Sequence, residues 1–146
     1  MSKLDAAYLA GLVDGEGYIG IMMNRRGEKA TFHSVKDYLY TPVLKICMTD
    51  RAIIEWLYCS FGGTFEIRKA RGNARESYGW MCRKAQVRKF LGYLYPYLRV
   101  KRKQAEVIFR YPVGEPGKPL PDEIWRKRDE LYGEIRALNK TGTVRD

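Results

Sequence analysis

A lone carboxylate, Glu16, stands between Gly15 and Gly17 at the end of the apolar run LAGLVDGEG, residues 9–17. Residues 3–14 carry helical spacing, so the acid is expected where a helix stops at Gly15 and Gly17. A helix C-terminus carries partial negative charge and carbonyl oxygens without partners. A carboxylate added there makes an all-oxygen site that suits a hard cation such as Mg2+. Such a cation activates water for attack on a phosphodiester. The glycines allow a sharp turn, which lets Glu16 project away from the helix.

The same helix has a second pattern. Ala7, Gly11 and Gly15 recur every four residues and form a stripe without bulk, while Leu9 and Leu12 point to another face. With one such stretch per chain, the simplest occupant of that stripe is the same helix of a second subunit across a two-fold axis. Ala7, Gly11 and Asp14 would then lie at the interface and two Glu16 tips would meet side by side.

The remaining elements must position these groups. Ile19, Ile21 and Met23 alternate with Gly20, Met22 and Asn24, and Leu44, Ile46 and Met48 alternate with Val43, Lys45 and Cys47. Both patterns predict strands, with Pro42 marking an irregular or edge beginning for the second. Asp50 caps a helix with Ile53, Ile54, Leu57 and Phe61 on its stripe, ended by Gly62 and Gly63. Residues 64–82 read as a hairpin with RGN, residues 71–73, near its turn. Helical spacing resumes through Val87, Phe90, Leu91 and Leu94, then in KRKQAEVIFR, residues 101–110. After a Gly/Pro-rich linker at 112–121, a last helix carries Ile124, Leu131, Ile135 and Leu138. The order α-β-β-α-β-β-α-α-α predicts an α+β fold in one domain, residues 1–146, without an internal repeat.

Charge narrows the partner. The chain of 146 residues has 27 Lys+Arg against 17 Asp+Glu, a net +10. That excess favours a polyanion. No apolar stretch is long enough to span a bilayer, and the basic residues are spread over several segments rather than along one amphipathic helix, so nucleic acid is expected and a membrane is not. The N-terminal run, interrupted by acids and glycines, does not read as a secretory signal. Cys47, Cys59 and Cys82 show no CxxC spacing, and His33 is the one histidine, so no zinc set is expected. Free thiols point to a reducing compartment, cytoplasm or organellar matrix.

These residues carry a family resemblance. LAGLVDGEG resembles the signature of the LAGLIDADG homing endonucleases, with Val13 for Ile, Gly15 for Ala and Glu16 for the final Asp. YPYLRVKRKQAEVI, residues 95–108, is similar to the family's later PFL-x-x-K-x-x-Q-A segment, and ALNKTG, residues 137–142, to its closing LN-x-x-G. The resemblance implies the family fold in its single-motif, homodimeric type, with a four-stranded antiparallel DNA-binding saddle. It implies Glu16 as the metal-binding acid, with the Gly15 carbonyl in the metal shell and Asp14 structural near the helix end. Glu keeps the charge on an arm one methylene longer. Asp50, by its position relative to Trp56, matches a polar residue that orders water near the metals. Lys101 matches a basic residue that polarises the nucleophile or stabilises the phosphate, and Lys103 is a further basic candidate.

The implied activity is site-specific, Mg2+-dependent double-strand DNA cleavage with short 3′ overhangs, in a protein of intron or other mobile-element origin. Mn2+ is expected to substitute for Mg2+, and Ca2+ to bind without supporting cleavage. The alternatives are an RNA-binding intron maturase and a DNA-binding regulator of the same fold that does not cut.

Strand parity then assigns the DNA face. Asn24, Thr41, Lys45, Glu66, Arg68, Ser77 and Arg83 point outward with Gly20, Met22, Val43, Cys47, Thr64, Gly79 and Met81. Arg68, Asn24 and Glu66 suit guanine, adenine and cytosine edges respectively. Arg25, Arg26, Lys69, Arg71 and Arg75 lie at hairpin ends and suit phosphates. A strand of about ten residues spans ~33 Å, close to one turn of duplex, so two subunits would cover ~20 bp.

Overall fold

The computed structural model describes residues 1–25 and 37–141. Arg26, His33 and Gly142 of the closing motif lie outside these residues. Helix α1 (Lys3–Glu16) begins where the Ser2 hydroxyl accepts from the Asp5 amide at 3.1 Å. It does not stop at Gly15. Gly15 and Glu16 complete its last turn, and the chain leaves at Gly17, whose amide donates to the Val13 carbonyl. A Cβ on Gly17 would sit 2.8 Å from Val13 backbone atoms, whereas one on Gly15 would meet nothing within 4 Å. The second glycine is therefore the break that geometry demands.

Strand β1 (Gly17–Arg25) follows at once, then β2 (Tyr38–Met48), α2 (Arg51–Phe61), β3 (Thr64–Arg68) and β4 (Ser77–Arg83). The sheet is antiparallel in the order β1-β2-β4-β3. The second strand starts three residues earlier than its alternation suggested, and Pro42 lies inside it, opposite Ile21. A central strand tolerates this proline because its β4 neighbour ends at Arg83, opposite Val43. Beyond that point the Pro42 carbonyl accepts from the Lys84 amide at 2.9 Å, and no ladder donor is missing.

Helix α3 (Ala85–Leu94), a 3-10 turn at Tyr95–Tyr97, α4 (Arg102–Arg110) and α5 (Asp122–Thr141) complete the chain. One buried cluster draws on all these helices and on a single face of the sheet. Ile19, Ile21, Leu44, Ile46, Trp80 and Cys82 meet Leu9, Val13, Leu57, Leu91, Ile108 and Leu131 there. In α5 the buried position near the start is Trp125, whose ring meets Tyr38 edge-on at 5.7 Å; Ile124, placed on the stripe by spacing, is only half-buried. All three cysteines are free, and burial pushes the Cys82 thiol up to about 12. Among the described residues no helix is long and apolar enough to cross a membrane.

Candidate active site and nucleic-acid interface

The end of α1 is tied to the segment before α4 by a reciprocal lock. The Asp14 carboxylate accepts the amides of Arg99, Val100 and Lys101 at 2.8, 3.2 and 3.0 Å. In return the Lys101 ammonium donates to the carbonyls of Val13 and Asp14 at 2.9 and 2.8 Å. An acid thus satisfies amides leading into α4 while a cation answers the negative end of α1. Burial lowers the Lys101 pKa, and the charges of Asp14 and Glu16 partly oppose that shift. Asp14, expected at a subunit interface as well, has its carboxylate engaged within its own chain.

Glu16 is exposed two residues beyond Asp14 of this lock. It lines a cleft of about 270 Å³ with Cys47, Met48, Thr49 and Ser77. The cleft sits where β1 begins, β2 ends and β4 begins. Asp50 is adjacent in sequence but caps α2, accepting the Ile53 amide at 3.2 Å. Lys103 is exposed on α4. Among the described residues no three His, Cys, Asp or Glu side chains gather to hold a metal. Among the residues lining the cleft, Glu16 supplies the one carboxylate, beside the Thr49 and Ser77 side chains, a sparse oxygen set. Such a set fits a hard cation that keeps water and substrate oxygens in its shell, and does not fit a zinc centre.

The sheet face that the core leaves uncovered carries the register of the predicted DNA side. Across the strands, Gly20, Val43 and Arg83 align, as do Tyr18, Lys45, Met81 and Thr64. Cys47, Gly79 and Glu66 form the next row, with Met22 beside Thr41, Asn24 beside Leu39, and Ser77 beside Arg68. Val43 is on this face yet fully buried. Arg68 and Glu66, read separately as base contacts, pair with each other at 2.9 Å, both about half exposed. An exposed pair of this kind is worth only ~0.2–1 kcal/mol, so a base edge can displace either partner. Arg83 Nε donates to the Met81 sulfur. Lys69, Arg71 and Arg75 are exposed in the β3–β4 connection. Arg25 closes β1 opposite Tyr38, on the parity of Ile19 and Ile21 rather than of the open face.

Two residues of this face escaped the sequence reading. Tyr18 is 42% exposed, its ring so close over Gly20 that a Cβ there would come within 2.5 Å, and Lys45 stands 5.9 Å from the ring centroid. Counting back two positions from Gly20 would have found it. Leu39 lies ahead of Thr41, where the alternation next to Pro42 gives out, so the pattern does not reach it.

On α1, the solvent side presents Leu4, 84% exposed, with Ala7, Tyr8, Gly11 and Gly15. A Cβ on Gly11 would meet nothing within 4 Å. Ala7, Gly11 and Asp14 also line a groove of about 440 Å³ against Tyr97, Leu98 and Arg99.

No protein-family model and no curated protein sequence matches the chain. Solved structures do. The homing endonuclease I-CvuI, in complex with its target in the presence of Ca, superposes with a TM-score of 0.75 at 21% identity, covering 93% of this chain and 82% of that one. The chain has the LAGLIDADG homing-endonuclease fold. An archaeal intron-encoded homing endonuclease complexed with DNA, I-Vdi141I, matches with a TM-score of 0.67 at 16% identity, covering 92% of this chain and 84% of that one. The LAGLIDADG homing endonuclease I-LtrWI, bound to target DNA, gives 0.66 at 21%, covering 92% of this chain and 45% of that one. In this chain the LAGLVDGEG stretch therefore ends at the α1–β1 junction of that fold, with its acid at the cleft.

Proposed function

We propose that residues 1–146 act as one unit, a homodimeric, divalent-metal-dependent DNA endonuclease that cuts both strands of a long pseudo-palindromic site and leaves short 3′ overhangs. The observation that carries this reading is the position of Glu16. It is exposed at the junction of α1 and β1, beside the open sheet face and at the end of a helix with an uncovered apolar side. The exposed Leu4, Ala7, Tyr8 and Gly11 supply what a second α1 would cover. Coverage of 45% of the I-LtrWI chain supports the pairing, since that chain has room for two such units.

Double-stranded DNA is the partner that the fold's relatives and the open face support. Strand β2, with 11 residues, spans about 37 Å, enough for one turn of duplex. Glu16, with the Gly15 carbonyl, would hold Mg2+ or Mn2+; the ion supplies Lewis acidity and a water activated for attack on phosphorus. Ca2+ would occupy the same oxygens without supporting turnover, and I-CvuI was solved with Ca in one complex and Mg in another. Lys101 keeps the end of α1 fixed and adds positive charge behind the cleft, where the scissile phosphate accumulates negative charge. Thr49, which lines the cleft, and Asp50, which caps α2 next to it, would order water at the cleft rim. Origin in an intron or other mobile element accords with the intron-encoded relative.

The test is cleavage of a plasmid bearing the sequence that flanks the gene's own insertion point. Wild type should linearise it with Mg2+ or Mn2+ and not with Ca2+ or a chelator. Glu16→Gln should bind the same DNA without cutting it. Cutting by that variant at the wild-type rate would remove the metal assignment.

A further inference from the structure

A second cavity lies on the helix side of the sheet, toward the other end of β2. It measures about 320 Å³, and its wall is mostly apolar, with Pro42, Ala85, Ile108 and Val113 beside two tyrosines, Tyr40 and Tyr111. Three cations, Lys84, Arg88 and Arg128, line it too, and no acid among the described residues does. Pro42 lies five residues along β2 from Cys47 of the Glu16 cleft, roughly 17 Å, and faces the opposite side of the sheet.

The cations differ in their state. Arg128 is fixed as part of the wall: its Nε and Nη2 donate to the Pro112 carbonyl at 3.1 and 3.0 Å, and its guanidinium stands 4.8 Å from the Tyr111 ring centroid. Lys84 and Arg88 make no side-chain hydrogen bond or ion pair among the described residues. The Asp129 carboxylate, next to Arg128 in sequence, is engaged by the Tyr38 and Tyr40 hydroxyls at 2.8 and 2.6 Å and does not line the cavity.

Lys84 is also the one non-glycine residue with positive φ among the described residues, at φ 57° and ψ −133°. Its amide is tied to the Pro42 carbonyl and its carbonyl to the Val87 amide. Glycine adopts that backbone freely, while a side chain there is strained. The chain nevertheless places a cation at this strained position on the cavity.

We propose that this cavity binds a nucleotide, with the base against Tyr40, Pro42 and Tyr111 and the phosphate between Lys84 and Arg88. Three cations with no acid among the described lining residues select an anion, and Tyr40 and Tyr111 beside Pro42 suit a flat ring, since bases stack on such side chains whatever their sequence. The volume is at the lower end for ligand clefts, which fits one nucleotide and excludes a duplex. The ligand's two sources are a free nucleoside monophosphate and an unpaired nucleotide within a strand. The proposal does not rest on cleavage, because Glu16 and its cleft take no part in it.

Calorimetric titration of the full chain with nucleoside monophosphates, nucleosides, inorganic phosphate and a short single-stranded oligonucleotide tests it. Saturable nucleotide binding is expected, with nucleoside and inorganic phosphate each about tenfold weaker or worse. Lys84→Gly and Arg88→Gln should each weaken it about tenfold, whereas Lys89→Gln, which removes a charge from the same helix outside the cavity, should leave it intact. Because Lys84→Gly relaxes the backbone, its melting temperature should not fall, which separates lost binding from lost folding. Binding of the monophosphate assigns the free ligand; binding of the oligonucleotide alone, lost in the same two variants, assigns the strand. No binding of either, equal loss in Lys89→Gln, or inorganic phosphate matching the nucleotide would overturn the proposal.

Discussion

Asp14 and Lys101 fasten the end of α1, from which Glu16 extends, to the segment before α4. Three backbone amides converge on one carboxylate, and hydrogen bonds to a charged group each contribute more than neutral ones. Asp14→Ala should therefore lower stability by about 3 kcal/mol, read from urea unfolding. Lys101 gives a pH prediction. Its folded pKa lies below the ordinary 10.5 because burial disfavours the ammonium. Between the folded and unfolded values the unfolded chain binds more protons, so this group makes stability rise with pH through that window. Asp14 and Glu16 raise its pKa, so Glu16→Gln should lower it further. Titration of the lysine side chain by NMR checks both the direction and the further drop.

At the scale of elements, α1 carries two glycines with opposite demands. Gly17→Ala forces a Cβ against Val13 backbone and should cost about 2 kcal/mol as an overpacked contact. Gly11→Ala meets no neighbour in its own chain, so it should stabilise the isolated subunit by up to about 1 kcal/mol through helix propensity. The same substitution should weaken self-association, and sedimentation alongside unfolding reads both effects. These contrasts mark what the sequence could tell. Alternation over Ile19–Asn24 and Leu44–Met48 assigned the sheet faces because period-2 patterns are local. The glycine pair did not reveal which member breaks the helix, since that depends on the distance from Gly17 to Val13. The pairing of Arg68 with Glu66, the exchange between Asp14 and Lys101, and Trp125 displacing Ile124 inward depend on side-chain reach or on partners distant in sequence. Periodicity carries no such information.

The chain has one such motif and a net charge of +10, and its described residues put one acid at the cleft and leave one sheet face open. A duplex has two strands of opposite direction, so under the proposed function a unit with one acid at its cleft would be doubled across a two-fold axis to cut both. The exposed apolar side of α1 ends at that acid, so in the proposed homodimer association and chemistry would share one geometry. The most direct measurement is cleavage by a purified heterodimer of one wild-type and one Glu16→Gln subunit, isolated with two different affinity tags. The account predicts nicking of one strand with Mg2+ and almost no linear product. Linearisation at the rate of the wild-type dimer, or full-rate double-strand cutting by a chain that stays monomeric on DNA, would contradict it.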